Sequence, residues 1–155
     1  MLQVSRLADY ATIVMVYIAR EGGIHNARDI ANHTHIALPT VSKILKLMAR
    51  SGLLNSQRGV KGGYSLARIP EEISVAAVLS AIEGEFGMTD CSHLQRSCTL
   101  EATCLVRSNW RLLSRAIFQA LTCLTLADMA KPINQSSIIF DKDKFWSADV
   151  GVRVE

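Results

Sequence analysis

Residues 26–67 constrain the fold more than any other part of the chain, because two short helical patterns joined by a tight turn run directly into a pair of strand patterns. Asn26 can cap the first of these helices, with Asp29 three residues on near the positive end of its dipole, and the pattern stops near Asn32 and His33. Pro39 fits the first turn of the next helix, where its missing N–H costs nothing. Val41, Ile44, Leu45 and Met48 then supply a buried stripe up to Gly52. Thr40, Ser42, Lys43 and Lys46 are left to point outward. Residues 53–57 and 64–67 read as strands, joined by the basic tip Arg58-Gly59-Val60-Lys61-Gly62-Gly63. Glycines there let the backbone approach a phosphate or a groove wall, and Arg58 and Lys61 supply the charge that favours the approach. A helix-turn-helix followed by such a hairpin is the layout of a winged-helix reader of double-stranded DNA, with Arg28, Thr40, Ser42, Lys43, Lys46, Arg58 and Lys61 as the expected contacts.

The flanking segments extend this frame. Leu7, Tyr10, Ala11, Val14, Met15 and Ile18 form one face of a first helix, capped by Ser5 and stopped at Gly22-Gly23. After Pro70, Ser74 can cap a helix carrying Val75, Val78, Leu79 and Ile82, closed by Gly84. Residues 85–100 show no period. A long helix is then expected from near Glu101 to about Leu124, with Val106, Trp110, Leu113, Ile117, Ala120, Leu121 and Leu124 recurring at threes and fours. A helix of that length exceeds what a domain this small needs for its own core, so it predicts pairing with a second copy. Thr125 and Asp128 look like a capping pair for a final short turn ended by Pro132. The expected fold class is therefore mainly α with a small β-hairpin wing: a winged helix-turn-helix over 1–84, a cysteine-rich loop over 85–104, a dimerisation helix over 105–131, and a tail over 132–155 with no assigned role.

Charge is distributed unevenly along the chain. The first 70 residues hold nine of the 17 Lys and Arg but three of the 14 Asp and Glu. A basic N-terminal half joined to an acidic remainder suits a polyanion-binding module attached to something that need not touch the polyanion. No signal peptide is read at the start, and no run reaches eighteen apolar residues, so the expectation is a cytoplasmic protein with no membrane partner.

Three of the four cysteines, Cys91, Cys98 and Cys104, lie within fourteen residues of loop. Such clustering does not suit a disulfide framework spread over a secreted fold. Thiolates bind soft metals and iron–sulfur clusters, and a loop can bring three sulfurs to one side of a cluster. Structural zinc sites favour cysteines two to four residues apart, and these are wider. Cys123, beside Leu121 and Leu124, reads as a buried, inert thiol. His25, His33 and His35 surround the helix-turn-helix and read as surface or DNA-proximal, whereas His93 lies inside the cysteine loop.

Taken in order, these features resemble the winged-helix iron–sulfur regulators that include IscR, NsrR and RirA, and most of all the regulators of the SUF cluster-assembly system. The resemblance spans roughly residues 1–130. It rests on Ser5-Arg6-Leu7-Ala8-Asp9-Tyr10-Ala11, Leu38-Pro39-Thr40-Val41-Ser42-Lys43, the wing with Tyr64, the three cysteines and the stretch 110–129. It implies that Cys91, Cys98 and Cys104 ligate a cluster, 2Fe-2S in preference to 4Fe-4S. IscR-like members carry a histidine three residues after the last cysteine, but Arg107 stands there and cannot shed its proton to bind iron. Asp9 matches an aspartate that reaches the cluster from the partner's first helix in NsrR-like members, and His93 is the alternative fourth ligand. The implied function is a homodimeric repressor that binds a palindromic operator, senses cluster status and controls iron–sulfur assembly genes. A nitric oxide or redox sensor acting through the same cysteines is the alternative. An electron-transfer or redox enzyme is disfavoured, because there is no dinucleotide fingerprint and no nucleophile-and-base arrangement, and it would leave the basic wing unexplained.

Overall fold

A computed structural model describes residues 3–59, 62–92, 98–100 and 103–131 of the chain. Val60, Lys61, His93, Glu101 and the tail over 132–155 lie outside the described residues. Helix α1 (Arg6–Glu21) opens with Ser5 Oγ accepting from the Ala8 amide at 3.2 Å, as its N-cap position predicts. Helix α2 (Ala27–Thr34) starts with Asn26 Oδ1 accepting from the Asp29 amide at 2.9 Å. It runs one residue past the expected stop, and His35 turns the chain with a left-handed φ of 56°. Helix α3 (Leu38–Arg50) follows, with Pro39 in its first turn and no side-chain cap.

Strands β1 (Leu54–Gln57) and β2 (Gly63–Leu66) pair antiparallel, Leu54 opposite Leu66 and Gln57 opposite Gly63, which is the wing. Each strand is offset by one residue or less from its sequence-based limits. The hairpin is not free-standing. His25, just before α2, exchanges both backbone hydrogen bonds with Tyr64, at 2.9 and 2.8 Å, and so ties the wing to the helix-turn-helix. A Cβ on Gly63 would stand 2.5 Å from the His25 carbonyl oxygen, so this bridge requires glycine at that position.

A 3-10 turn (Pro70–Glu72) leads to α4 (Val75–Glu83), capped by Ser74 Oγ on the Ala77 amide at 3.1 Å. Helices α1, α3 and α4 converge on one core whose fully buried side chains include Met15, Ile18, Ile30, Ile44, Leu45, Met48, Ile73 and Val78. The apolar stripes read from the sequence supply most of it.

The second half departs from expectation in its helix limits. The long helix α5 spans Arg107–Cys123, six residues shorter at its start than the pattern suggested, because Leu105 and Val106 form a turn although they continue the apolar period. The span 105–131 then holds two helices. At Leu124 the backbone becomes extended, and α6 (Leu126–Ala130) begins under a complete capping box between Thr125 and Asp128. This short helix returns to the winged-helix core. Leu126 is fully buried there, α6 packs against α1 and the 3-10 turn, and Arg20 Nε donates to the Ala130 carbonyl at 2.8 Å. Backbone bonds from Val75 to Leu124 and from Leu126 to Ile73, both 2.8 Å, fasten the end of α5 to the start of α4. No helix among the described residues is long and apolar enough to cross a membrane.

Candidate nucleic-acid interface and cluster loop

The outer face of α3 follows from its inner one. With Val41, Ile44, Leu45 and Met48 fully buried, a helical period of 3.6 leaves Lys43 and Lys46 exposed and Thr40 and Ser42 at its half-buried flanks. Arg50, one turn beyond Lys46 and also exposed, continues the same basic stripe. The sequence reading did not nominate Arg50, although its spacing of seven from Lys43 was a sufficient signal. Arg28 is exposed in the first turn of α2, and Arg58 is exposed where β1 enters the wing tip; Lys61 lies outside the described residues. The exposed basic residues expected to face DNA are thus carried on the helix-turn-helix and on the wing, which the bridge from His25 to Tyr64 ties together.

Aromatic packing strengthens that relation. Tyr17 of α1 stacks on His33 of α2 with ring centroids 5.3 Å apart and meets His25 edge-on at 5.4 Å. His33 Nδ1 lies 2.8 Å from the Asp29 carbonyl oxygen. Burial, then the carboxylates of Glu21 and Asp29, hold the Tyr17 hydroxyl above the usual tyrosine range, so this ring is neutral at physiological pH. His25 and His33 therefore serve to join α1, α2 and the wing; their place near the helix-turn-helix agrees with the sequence reading.

The cysteine loop starts from a 3-10 turn (Asp90–Ser92) that contains Cys91 and packs against α5. Its approach is pinned by the Met88 amide, which donates to Ser114 Oγ at 3.1 Å; Ser114 is the one buried residue of α5 among those described. Cys98 and Cys104 are half-buried free thiols, and Cys104 ends the loop three residues before α5. The side chain of Cys91 and the whole of His93 lie outside the description, and among the described residues no three metal-ligating side chains converge. The donor set itself suits an iron–sulfur cluster: three cysteines within one loop, whose soft thiolates match iron and sulfide. Asp9 is exposed in the first turn of α1. Cys123 corrects its sequence reading, because it is exposed rather than buried. Nine residues separate it from Ser114, about half a turn out of phase at 3.6 residues per turn, so it faces away from the packed side of α5.

This combination of a helix-turn-helix, a tethered wing and a helical appendage defines a winged-helix DNA-binding transcription regulator, not an enzyme. Residues 4–132 match the Rrf2 family, described as an iron-dependent transcriptional regulator, and the chain belongs to that family. Protein rrf2 of Nitratidesulfovibrio vulgaris is 30% identical over 124 residues, covering 79% of this chain and 83% of that protein. The transcriptional regulator IscR of Aliivibrio salmonicida is 32% identical over 123 residues, covering 77% and 72%. Among solved structures, IscR of T. potens superposes with a TM-score of 0.64 at 26% identity, over 89% of this chain and 93% of that one. CymR, the global cysteine regulator of B. subtilis, gives 0.66 at 23% identity over 84% and 97%, a likeness of fold.

The wing carries a direct expectation. Arg58→Ala combined with Lys61→Ala removes two charges expected to meet phosphates, so binding to specific and non-specific DNA should weaken together. The slope of log affinity against log salt should flatten by about 2. A gel-shift titration at several salt concentrations measures both, and an unchanged slope would mean that the wing does not touch the backbone.

Proposed function

We propose that this protein is a homodimeric repressor of iron–sulfur assembly genes, of the SUF type, whose affinity for a palindromic operator depends on an iron–sulfur cluster held by Cys91, Cys98 and Cys104. The observation that carries the reading is the cysteine loop itself. Its three cysteines fall in sequence between the winged-helix core and α5, and its approach is fixed to α5 through Met88 and Ser114. The relatives named IscR support it as well. The cluster supplies a redox-active, oxidant- and nitric-oxide-sensitive centre; the protein supplies thiolates and a fourth ligand, Asp9 of the partner's α1 or His93 of the loop. A 2Fe-2S cluster is the proposed form. Pairing rests on α5, where Leu112 and Leu113, with Leu105 and Val106 just before the helix and Leu124 just after it, are exposed apolar side chains.

The test is spectroscopic. Anaerobically purified protein should be coloured, with iron and sulfide in equal amounts and a dimeric mass. Colourless protein that takes up neither iron nor sulfide on reconstitution would remove the cluster and leave a thiol-based redox sensor as the reading.

A further inference from the structure

Between the end of α1 and the chain that leaves β2 lies an open groove of about 560 Å³. Gly22, Gly23 and Ile24 line it from the first segment, and Leu66, Ile69 and Pro70 from the second. Ile24 and Ile69 are large apolar side chains, yet they are 46% and 58% exposed. A backbone edge opens on the same groove. Tyr64 bonds outward to His25 through both its N–H and its C=O, and the alternation of an antiparallel ladder turns the same two groups of Leu66 to that outer edge. No bond among the described residues meets them there. A half-buried residue with a free N–H and C=O on a sheet edge favours an added strand.

We propose that this groove is the docking site of the chain's own tail, with Ile138-Ile139-Phe140 laid as a short extended segment beside Leu66. The occupant follows from where the chain leaves α6. Arg20 Nε donates to the Ala130 carbonyl at 2.8 Å, which sets the start of the tail at the last turn of α1, beside Gly22 and Gly23. Helix α6 also packs against the 3-10 turn whose first residue, Pro70, lines the groove. Ile138-Ile139-Phe140 is the first apolar run after α6, and β-branched and aromatic residues suit a strand at a half-buried edge. The seven residues from Lys131 to Ile138 reach up to about 23 Å when extended, enough to pass from α6 into a groove that its neighbours border. A second copy is assigned to α5, which contributes no residue here. The docked segment adds a strand at the base of the wing, next to the bridge from His25 to Tyr64.

Residue-resolved amide hydrogen exchange on the full chain reads both partners. In the parent, the Leu66 amide and an amide within 138–140 should both exchange slowly, and equally so at low and high protein concentration. Ile138→Asp with Phe140→Asp should speed exchange of the Leu66 amide at least about tenfold, and Ile69→Asp should do the same for residues 138–140, while the amides of α3 exchange as in the parent. Ile69 is exposed, so its variant should fold, which circular dichroism checks for all of them. Unprotected exchange across 138–140 in the parent overturns the proposal, as does a slow Leu66 amide that survives the tail substitutions. Protection that rises with protein concentration overturns it in favour of a second copy in the groove. None of these results bears on the cluster, whose test reads colour, iron and sulfide.

Discussion

Replacing any one of Cys91, Cys98 or Cys104 by alanine is expected to give colourless protein that binds no stoichiometric iron or sulfide, while Cys123→Ala keeps the full absorption of the parent. The contrast follows from position. Cys91 and Cys104 stand at the two ends of one loop with Cys98 between them, and a cluster that loses a thiolate from such a set keeps only two cysteine anchors. Cys123 faces solvent on the side of α5 opposite Ser114, away from the loop's approach. The measurement is visible absorption together with iron and sulfide assays on anaerobically purified variants. Far-ultraviolet dichroism checks that each variant folds; Cys98, Cys104 and Cys123 lie outside the buried core cluster. Full colour in all three loop variants would show that the sulfurs are not the ligands. Colour lost on Cys123→Ala would place a ligand on the exposed face of α5.

The winged-helix half was legible because its helices each commit an apolar stripe to one core and carry their own start signals. Ser5, Asn26 and Ser74 all cap as their positions in the sequence indicate. The exposed side of α3 was legible for the complementary reason, since what is not buried at a period of 3.6 must face out. Helix α5 was less so. Leu105 and Val106 continue its apolar period, but no side chain caps there and the helix starts only at Arg107, so hydrophobic spacing alone overran the true limit. The residue that anchors α5 to the cysteine segment is a serine, and a polar Ser114 among apolar neighbours gave no periodic signal of burial. Cys123 misled for the same reason. Leu121 lies two residues back, on another face of α5, and Leu124 lies beyond the helix end, so adjacency in sequence says nothing about facing. Five residues of α6 are too few to show a period, and only the capping box at Thr125 and Asp128 announced them.

The largest functional effect should come from the fourth ligand. On the proposed pairing through α5, the cysteine loop of one chain is set beside α1 of the other, where Asp9 is exposed one turn from the helix start. That placement has leverage, because α1 packs on α3 and on α4, and the angle between the two copies of α3 sets whether both can enter successive major grooves of a palindromic site. A cluster ligated across the two chains would hold that angle, and its loss would release it. The cluster can shift the equilibrium only if it binds the two arrangements with different affinity, and a coupling of about 1–3 kcal/mol corresponds to a change in operator affinity of roughly 5- to 150-fold between holo and apo protein. Asp9→Ala should therefore alter the cluster spectrum and reduce that ratio towards one, while His93→Ala should leave both unchanged. Asp9 is exposed and contributes nothing to the core, so its removal should leave folding intact. The measurement is a pair of anaerobic titrations of operator DNA, holo and apo, for parent and variants. Effects confined to His93→Ala would move the fourth ligand into the loop and make the site complete within one chain. Equal holo and apo affinities in the parent would separate the cluster from DNA binding altogether, because a ligand without differential affinity shifts no population however tightly it is held.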